Sequence, residues 1–279
     1  MKYLKNPLKL LAMCCGIIIA IAIPLLPILW MVTTSLKPDN EIYSISISLL
    51  PKNPTLTHYY NVLTQTSFAR FMFNSFTIGI LTACLSLFLS TFAGYSLSRF
   101  VFRGKDLFET WLLFTQLFPW ILAIIPIFTF MHSLGLLNNH LSLVIMYTIG
   151  ATPFSTLMCR SYFDAVPKEI EEAAMVDGCS RTMAVLRIIL PLAAPGLAAV
   201  TLFAFVLAFQ EFLLAFILIK DVSLATVPLG LYQFIGSHGE VIWGQIMAAS
   251  TLATIPIVIC FMFLQKFIVS GLTLGAVKG

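Results

Sequence analysis

Charged side chains are scarce in this chain, and the densest group lies between Ala165 and Pro191, in the run AVPKEIEEAAMVDGCSRTMAVLRIILP. Its spacing is that of two short helices joined by a bend. Pro167 suits a first helical position, and Glu169, Glu171 and Glu172 place negative charge near the positive end of a helix dipole. Gly178 stops that helix, and Ser180 caps a second one that ends where Pro191 bars continuation. Ile170, Ala173, Ala174 and Asp177 fall on one face, where the two alanines leave room for another protein to come close. Such a block can bind a soluble partner, but it contains no reactive pair. The other conspicuous group is Glu211, a lone carboxylate beside Gln210 in an apolar run. A charge near mid-bilayer costs about 2.5–3.5 kcal/mol. Glu211 is therefore expected to face protein or water, either lining a translocation path with Gln210 or satisfied by a neighbouring helix.

Chemistry of other kinds finds no support. The only Gly-Lys pair, Gly104-Lys105, is followed by Asp106 and has Arg99 where a phosphate-binding loop needs its first glycine, so the chain holds no ATP by that route. The histidines His58, His132, His140 and His238 stand apart, with no H-E-x-x-H or G-x-S-x-G pattern. Cys14, Cys15, Cys84, Cys159, Cys179 and Cys260 form no C-x-x-C pair and lie mostly in apolar stretches, which reads as packing and not as metal or disulfide chemistry. No catalytic residue, metal site or nucleic-acid surface is expected.

The elements that carry these residues are membrane helices. With 59% apolar and 10% charged residues and a mean hydropathy of +0.96, the chain has too little polar surface to wrap a soluble domain. The pattern predicts an all-α polytopic membrane protein, one domain over residues 1–279. Its six spans are placed near 10–34, 71–98, 108–131, 141–163, 192–219 and 244–267. The run between Lys9 and Lys37 is too long for a signal-peptide core and is expected to stay as the first span. A short lead-in helix is expected over Val62 to Phe71, ahead of the second. Thr110 to Cys159 carries no charge and must hold two spans, with Gly135 and Asn138-Asn139-His140 at the turn. Pro119 and Pro126 interrupt the third span, which is tolerable where other helices or water satisfy the freed carbonyls. The charged block becomes a loop over 164–191, and 269–279 a short glycine-rich tail.

Of the 16 Lys and Arg residues, all but Lys37, Lys52, Arg70 and Lys220 fall on one side of this topology. The positive-inside rule then puts both termini and the 164–191 loop in the cytoplasm.

Glu172-Ala173-Ala174, three residues, Gly178, nine residues and Ile188-Ile189-Leu190-Pro191 spell EAA-x3-G-x9-I-x-L-P. This resembles the EAA loop of the membrane subunits of binding-protein-dependent ABC importers. Ala93 to Arg99, Phe102 to Lys105, and the tail from Ser270 to Gly279 are similar to sugar importer subunits of the maltose type. The resemblance implies a type I ABC importer transmembrane domain in a bacterial or archaeal cell membrane, forming half of a pore for a carbohydrate. It implies docking on an ATPase dimer through Glu172, Ala173, Ala174, Asp177 and Gly178, and tail contact with that dimer through Gly275, Lys278 and Gly279. ATP and Mg would sit on the ATPase, so this chain itself needs no cofactor. A second homologous permease, an extracytoplasmic solute-binding protein, the sugar and membrane lipid are the implied partners. The family more often carries Asn before the acid where this chain has Gln210. The rival reading is an ion-coupled secondary transporter using Glu211, although no internal repeat supports it.

Overall fold

The computed structural model describes residues 7–46, 48–235 and 240–276, with side chains for residue 11 and for 13–46, 48–235, 240–263 and 265. Among these residues the regular structure is helical, apart from one antiparallel bridge between Ile235 and Val241. It divides into two compact units, Met1–Phe68 with Leu231–Thr254, and Ala69–Gly230 with Ile255–Gly279. Among the described residues five helices are long and apolar enough to cross a membrane, or six if one sharply bent pair is a single span.

The first unit holds α1 (Pro7–Ser35), α2 (Asp39–Ile42), α3 (Thr57–Gln65) and the start of α13 (Trp243–Ala276). Residues 13–30 of α1 are exposed, and its end turns inward, with Thr34 and Ser35 buried and Ser35 Oγ 2.6 Å from the Tyr59 hydroxyl. Past its end the chain is tied down. Lys37, 4% exposed, donates to the Ser48 carbonyl and places its ammonium 4.8 Å from the centre of the Trp30 ring. His58 bonds the Lys37 carbonyl at 2.8 Å, and its ring lies where a Cβ on Gly244 would fall. The lead-in helix expected over Val62 to Phe71 instead ends at Gln65. Thr66 supplies the reason: its hydroxyl donates to Val62 O and accepts from Phe68 N, closing one helix and opening the next.

Glu41, at the end of α2, accepts the N–H groups of Lys52 and Asn53 at 3.0 and 2.9 Å. The Lys52 N–H above all holds its carboxyl below the ordinary value of 4.5. The stabilisation is thus present above that ordinary value and disappears as pH falls through the lowered one. Proteolysis of the α2–α3 connection should accelerate as the protein is acidified below about pH 4, and Glu41→Gln should flatten that pH response.

The second unit is built on α4 (Phe68–Arg99), α5 (Lys105–Leu117), α6 (Ile124–Ser133), α7 (His140–Asp164), α8 (Lys168–Val176), α9 (Arg181–Ala184), α10 (Leu190–Gln210), α11 (Leu213–Leu218) and α12 (Val227–Tyr232). Helix α7 is the central element and packs against α4, α5 and α10. Toward the α4 side the contact is made by small and hydroxylic residues. Ser86 bonds Ser155, Ser90 bonds Thr152 O, and a Cβ on Gly94 would come within 2.6 Å of Cys159 Cβ and 2.8 Å of Arg160 N. Such close approach is how helices pack where water supplies no driving force. One apolar cluster joins Ile78, Met131, Tyr147, Ala208 and Leu218; another joins Tyr95, Cys159, Phe163, Ile189 and Val200.

The turn expected near Gly135 and Asn138 lies there. Both adopt positive φ, 66° and 55°, and Asn139 caps α7 by accepting Leu141 N at 2.9 Å. Asn138 also accepts the N–H groups of Lys220 and Asp221 through its amide oxygen, pinning this turn to the chain after α11.

Three predicted spans differ from the structure. The third, placed over 108–131, consists of α5 and α6 at 87° to each other, with a 3-10 turn over Trp120–Ala123 between them. Pro119 lacks an N–H and forces Phe118 out of helical geometry, to φ −74° and ψ 122°. Pro126 is harmless because it falls in the first turn of α6, where N–H groups have no helical acceptor. The fifth span, placed over 192–219, starts at Arg181 and runs unbroken to Gln210, so Pro191 ends nothing. A π turn over Val185–Ile189, with Leu190 N–H on Val185 O, widens the helix just ahead of the proline ring. This span stops at Gln210, not 219. The sixth, placed over 244–267, continues as α13 to Ala276, taking in much of the predicted tail. Gly271 in a helix interior costs only about 1 kcal/mol and does not break it. Lys278 and Gly279 lie outside the described residues, and Gly275 falls within the backbone of α13.

Candidate functional site

The charged block forms an elbow. Pro167 stands one position before the first helical residue, as the N-cap of α8, not inside the helix as expected. At the other end Cys179 N–H reaches Ala174 O and Gly178 N–H reaches Met175 O, with Gly178 at φ +91°. This pair of bonds around a left-handed glycine ends the helix by satisfying its last carbonyls. Ser180 then caps α9, accepting Met183 N at 3.3 Å. A Cβ on Gly178 would meet nothing within 4 Å, so only the backbone opposes substitution. Gly178→Ala should cost about 1–2 kcal/mol, read as a lowered unfolding midpoint of the purified protein.

The elbow is held from its inner side by a residue the sequence did not distinguish from its neighbours. Glu171 is buried, and its side chain is 5% exposed. Its Oε2 accepts Arg99 Nε at 3.0 Å and its Oε1 accepts the Tyr95 hydroxyl at 2.6 Å, while Arg99 Nη2 also donates to Val166 O. Arg181, at the start of α9, lies 3.9 Å from Glu171 and 5.2 Å from the centre of the Phe100 ring. Beside this cluster Arg160 pairs with Glu109 and Asp164, and Asp164 accepts Ser98 Oγ at 2.5 Å. The end of α4 and the elbow are thereby one polar assembly, with both charges of its central pair withdrawn from solvent.

The face expected to bear Ile170, Ala173, Ala174 and Asp177 together is split. Ala174 lies one turn beyond Glu171 and is buried in this chain, whereas Glu172, Ala173, Asp177 and Gly178 are exposed. Consecutive helical residues point about 100° apart, so adjacent alanines cannot both face the same partner. Val176 and Leu186 add exposed apolar surface to the outer side. Glu172 and Asp177 make no side-chain hydrogen bond or ion pair among the described residues. Asp177 also stands at the negative end of the α8 dipole, where a carboxylate is unfavourable unless a cation approaches.

Glu211 lies at a break and not inside a helix. It follows the last residue of α10, in extended backbone, and its carboxylate accepts Leu214 N at 2.9 Å, Ala215 N at 3.3 Å and the Tyr147 hydroxyl at 2.8 Å. A side chain that takes the first N–H groups of the next turn starts a new helix and ends the old one. Gln210 beside it is exposed. Both residues line a cavity of about 540 Å³, shared with Gln116, Trp120, Tyr147 and Phe212. These four were not identifiable from sequence, because they come from separate elements, Gln116 and Trp120 from the α5–α6 bend, Tyr147 from α7 and Phe212 from the chain after α10. Among the described residues no group of three or more His, Cys, Asp or Glu could hold a metal ion.

A model of the family described as binding-protein-dependent transport system inner membrane component matches residues 75–274. The chain is 38% identical to the trehalose/maltose transport system permease of Thermococcus litoralis, over 99% of each chain. It is 37% identical to the diacetylchitobiose uptake system permease of Streptomyces coelicolor, over 91% of each, and 35% identical to the sulfoquinovosyl glycerol transport system permease of Agrobacterium fabrum, over 91% of this chain and 89% of that one. Its fold is that of a chain in a bacterial ABC transporter involved in the import of the acidic polysaccharide alginate, with TM-score 0.78, 22% identity and coverage of 93% of this chain and 97% of the other.

Proposed function

This chain belongs to the family of binding-protein-dependent transport system inner membrane components, and from that premise we propose that it is the permease subunit of an ATP-driven carbohydrate importer. It forms half of the translocation path and receives the motion that drives transport through the α8–α9 elbow. The observation that carries this reading is the two-sidedness of the elbow. Its inner side is fixed to α4 by buried Glu171, while Glu172, Ala173 and Asp177 on its outer side are exposed, and neither carboxylate has a side-chain partner among the described residues. A lever needs such a firm attachment on one side and an open socket contact on the other.

In this reading the elbow lies in the cytoplasm with both termini and docks on one subunit of an ATPase pair that holds ATP and Mg. Ala173 permits close approach, Glu172 and Asp177 take basic groups of the ATPase, and Gly178 fixes the angle between the short helices. Gly275, Lys278 and Gly279 are assigned to the same partner. A homologous second permease completes the pore, an extracytoplasmic binding protein delivers the solute, and Gln210 and Glu211 line its path. Carbohydrate is the preferred solute because relatives matched over nine-tenths or more of this chain are named for saccharide transport. An ion-coupled mechanism on Glu211 is not favoured, since the family is one of binding-protein-dependent systems.

The test is co-purification and uptake with the complete set of subunits. Wild-type vesicles should accumulate sugar only with ATP and binding protein. Ala173→Trp should reduce recovery of the ATPase at least about thirtyfold, the scale of a central interface contact. Undiminished recovery would show that the ATPase docks elsewhere.

A further inference from the structure

The cavity beside Glu211 has the chemistry of a saccharide site. Its volume of about 540 Å³ lies in the range of ~300–1,000 Å³ typical of small-molecule sites. Its wall combines an aromatic surface with amides and a carboxylate, an arrangement suited to a sugar ring with its apolar C–H face and its rim of hydroxyls. Trp120 supplies the aromatic surface. It is partly exposed, and it is seated against Gly150, where an added Cβ would come within 3.1 Å of its ring. Gln116 is anchored at the same glycine, its Nε2 lying 3.4 Å from Gly150 O.

The polar groups are set for a ligand and not for one another. Glu211 Oε2 accepts from Tyr147 and Ala215 N and shares Leu214 N, whereas Oε1 accepts from Leu214 N alone, at 2.9 Å, so Oε1 keeps acceptor capacity. The Gln210 side chain is exposed and makes no hydrogen bond among the described residues. In an apolar span an amide with no partner is costly. Water or a solute hydroxyl can satisfy it. Resting on the reading of this chain as an importer permease, we propose that this cavity is a binding subsite for one uncharged sugar ring. Trp120 stacks on the ring, while Gln116, Gln210 and Glu211 Oε1 take its hydroxyls. The subsite favours neutral over acidic saccharides, because the Glu211 carboxylate faces any solute anion.

Photoreactive trehalose and maltose, each bearing a diazirine, provide the probe for the complete importer in vesicles. Label should enter peptides containing Trp120 or Gln210 and be competed by excess unlabelled sugar. Trp120→Leu and Gln210→Leu should each cut that capture at least about fivefold, and an acidic disaccharide probe should label wild type at least tenfold less. If Trp120→Leu fails to assemble, Gln210→Leu decides, since its exposed side chain makes no hydrogen bond among the described residues. Absence of label here, label that excess sugar does not compete, or capture unchanged in Gln210→Leu would overturn the subsite. ATP-dependent uptake by wild type without such labelling refutes only the subsite, whereas a wild type that takes up no sugar with ATP and binding protein refutes the importer reading itself.

Discussion

Glu171→Ala should detach the elbow from the helix bundle and abolish coupled transport. The substitution removes one half of an ion pair whose side chains are 4% and 5% exposed, leaving the Arg99 guanidinium and the Tyr95 hydroxyl without their acceptor. Breaking a buried pair on one side costs about 3–5 kcal/mol, because the surviving charge remains away from water. Arg99→Ala should cost a similar amount. The double variant Glu171→Leu with Arg99→Met should recover most of the lost stability, since removing both charges also removes their desolvation. Glu172→Ala, one residue away but exposed, should change stability by less than about 0.5 kcal/mol while weakening recovery of the ATPase. Unfolding midpoints of the four proteins in one detergent, together with co-purification, separate the two effects. A Glu171→Ala midpoint equal to that of Glu172→Ala would rule out the brace.

The second large effect is expected at Gly94. A Cβ there would stand 2.6 Å from Cys159 Cβ, 2.8 Å from Arg160 N and 3.0 Å from Thr156 O. Two of these atoms are backbone and cannot swing aside, so α4 and α7 must separate. Overpacking generally costs about 1–3 kcal/mol, and Gly94→Leu should exceed that range because the neighbouring Ser90–Thr152 contact is lost with it. Gly16 in α1 is the control, since a Cβ there meets nothing within 4 Å. Gly16→Ala should leave stability unchanged or raise it by about 0.5–1 kcal/mol through helix propensity. Thermal aggregation of the two variants in detergent gives the comparison. A Gly94→Leu midpoint within error of wild type would mean that the α4–α7 contact can open freely.

Much of the helical plan was legible because uncharged runs bounded by Lys and Arg are long enough to cross a bilayer and little else is. The local signals at Asn139, Gly178 and Ser180 were equally direct, since each acts on backbone groups within a few residues. What sequence could not supply were contacts across distance. Glu171 and Glu172 look alike in a row of acids, and only the position of Arg99, at the end of another helix, makes the first a brace and leaves the second free. Pro191 misled for a related reason: proline is read as a stop, but a π turn just before it lets the helix pass. Glu211 looked buried within a span, whereas its own carboxylate captures the N–H groups that would have continued the helix. Trp120 and Gln116 reach the same cavity only through the 87° bend.

The unbroken run from Arg181 to Gln210 connects the elbow to the cavity wall. Its 30 residues, at about 1.5 Å each, make a helix of roughly 45 Å that continues through the π turn at Val185–Ile189. A swing of about 10° at the Ser180 end, taken about the far side of the bend, would carry Gln210 some 8 Å on this geometry. That is enough to take its amide out of hydrogen-bonding reach of anything held by Trp120. A grip on the cargo and the stroke that releases it would then be two ends of one stiff member, with no relay of side chains needed between them.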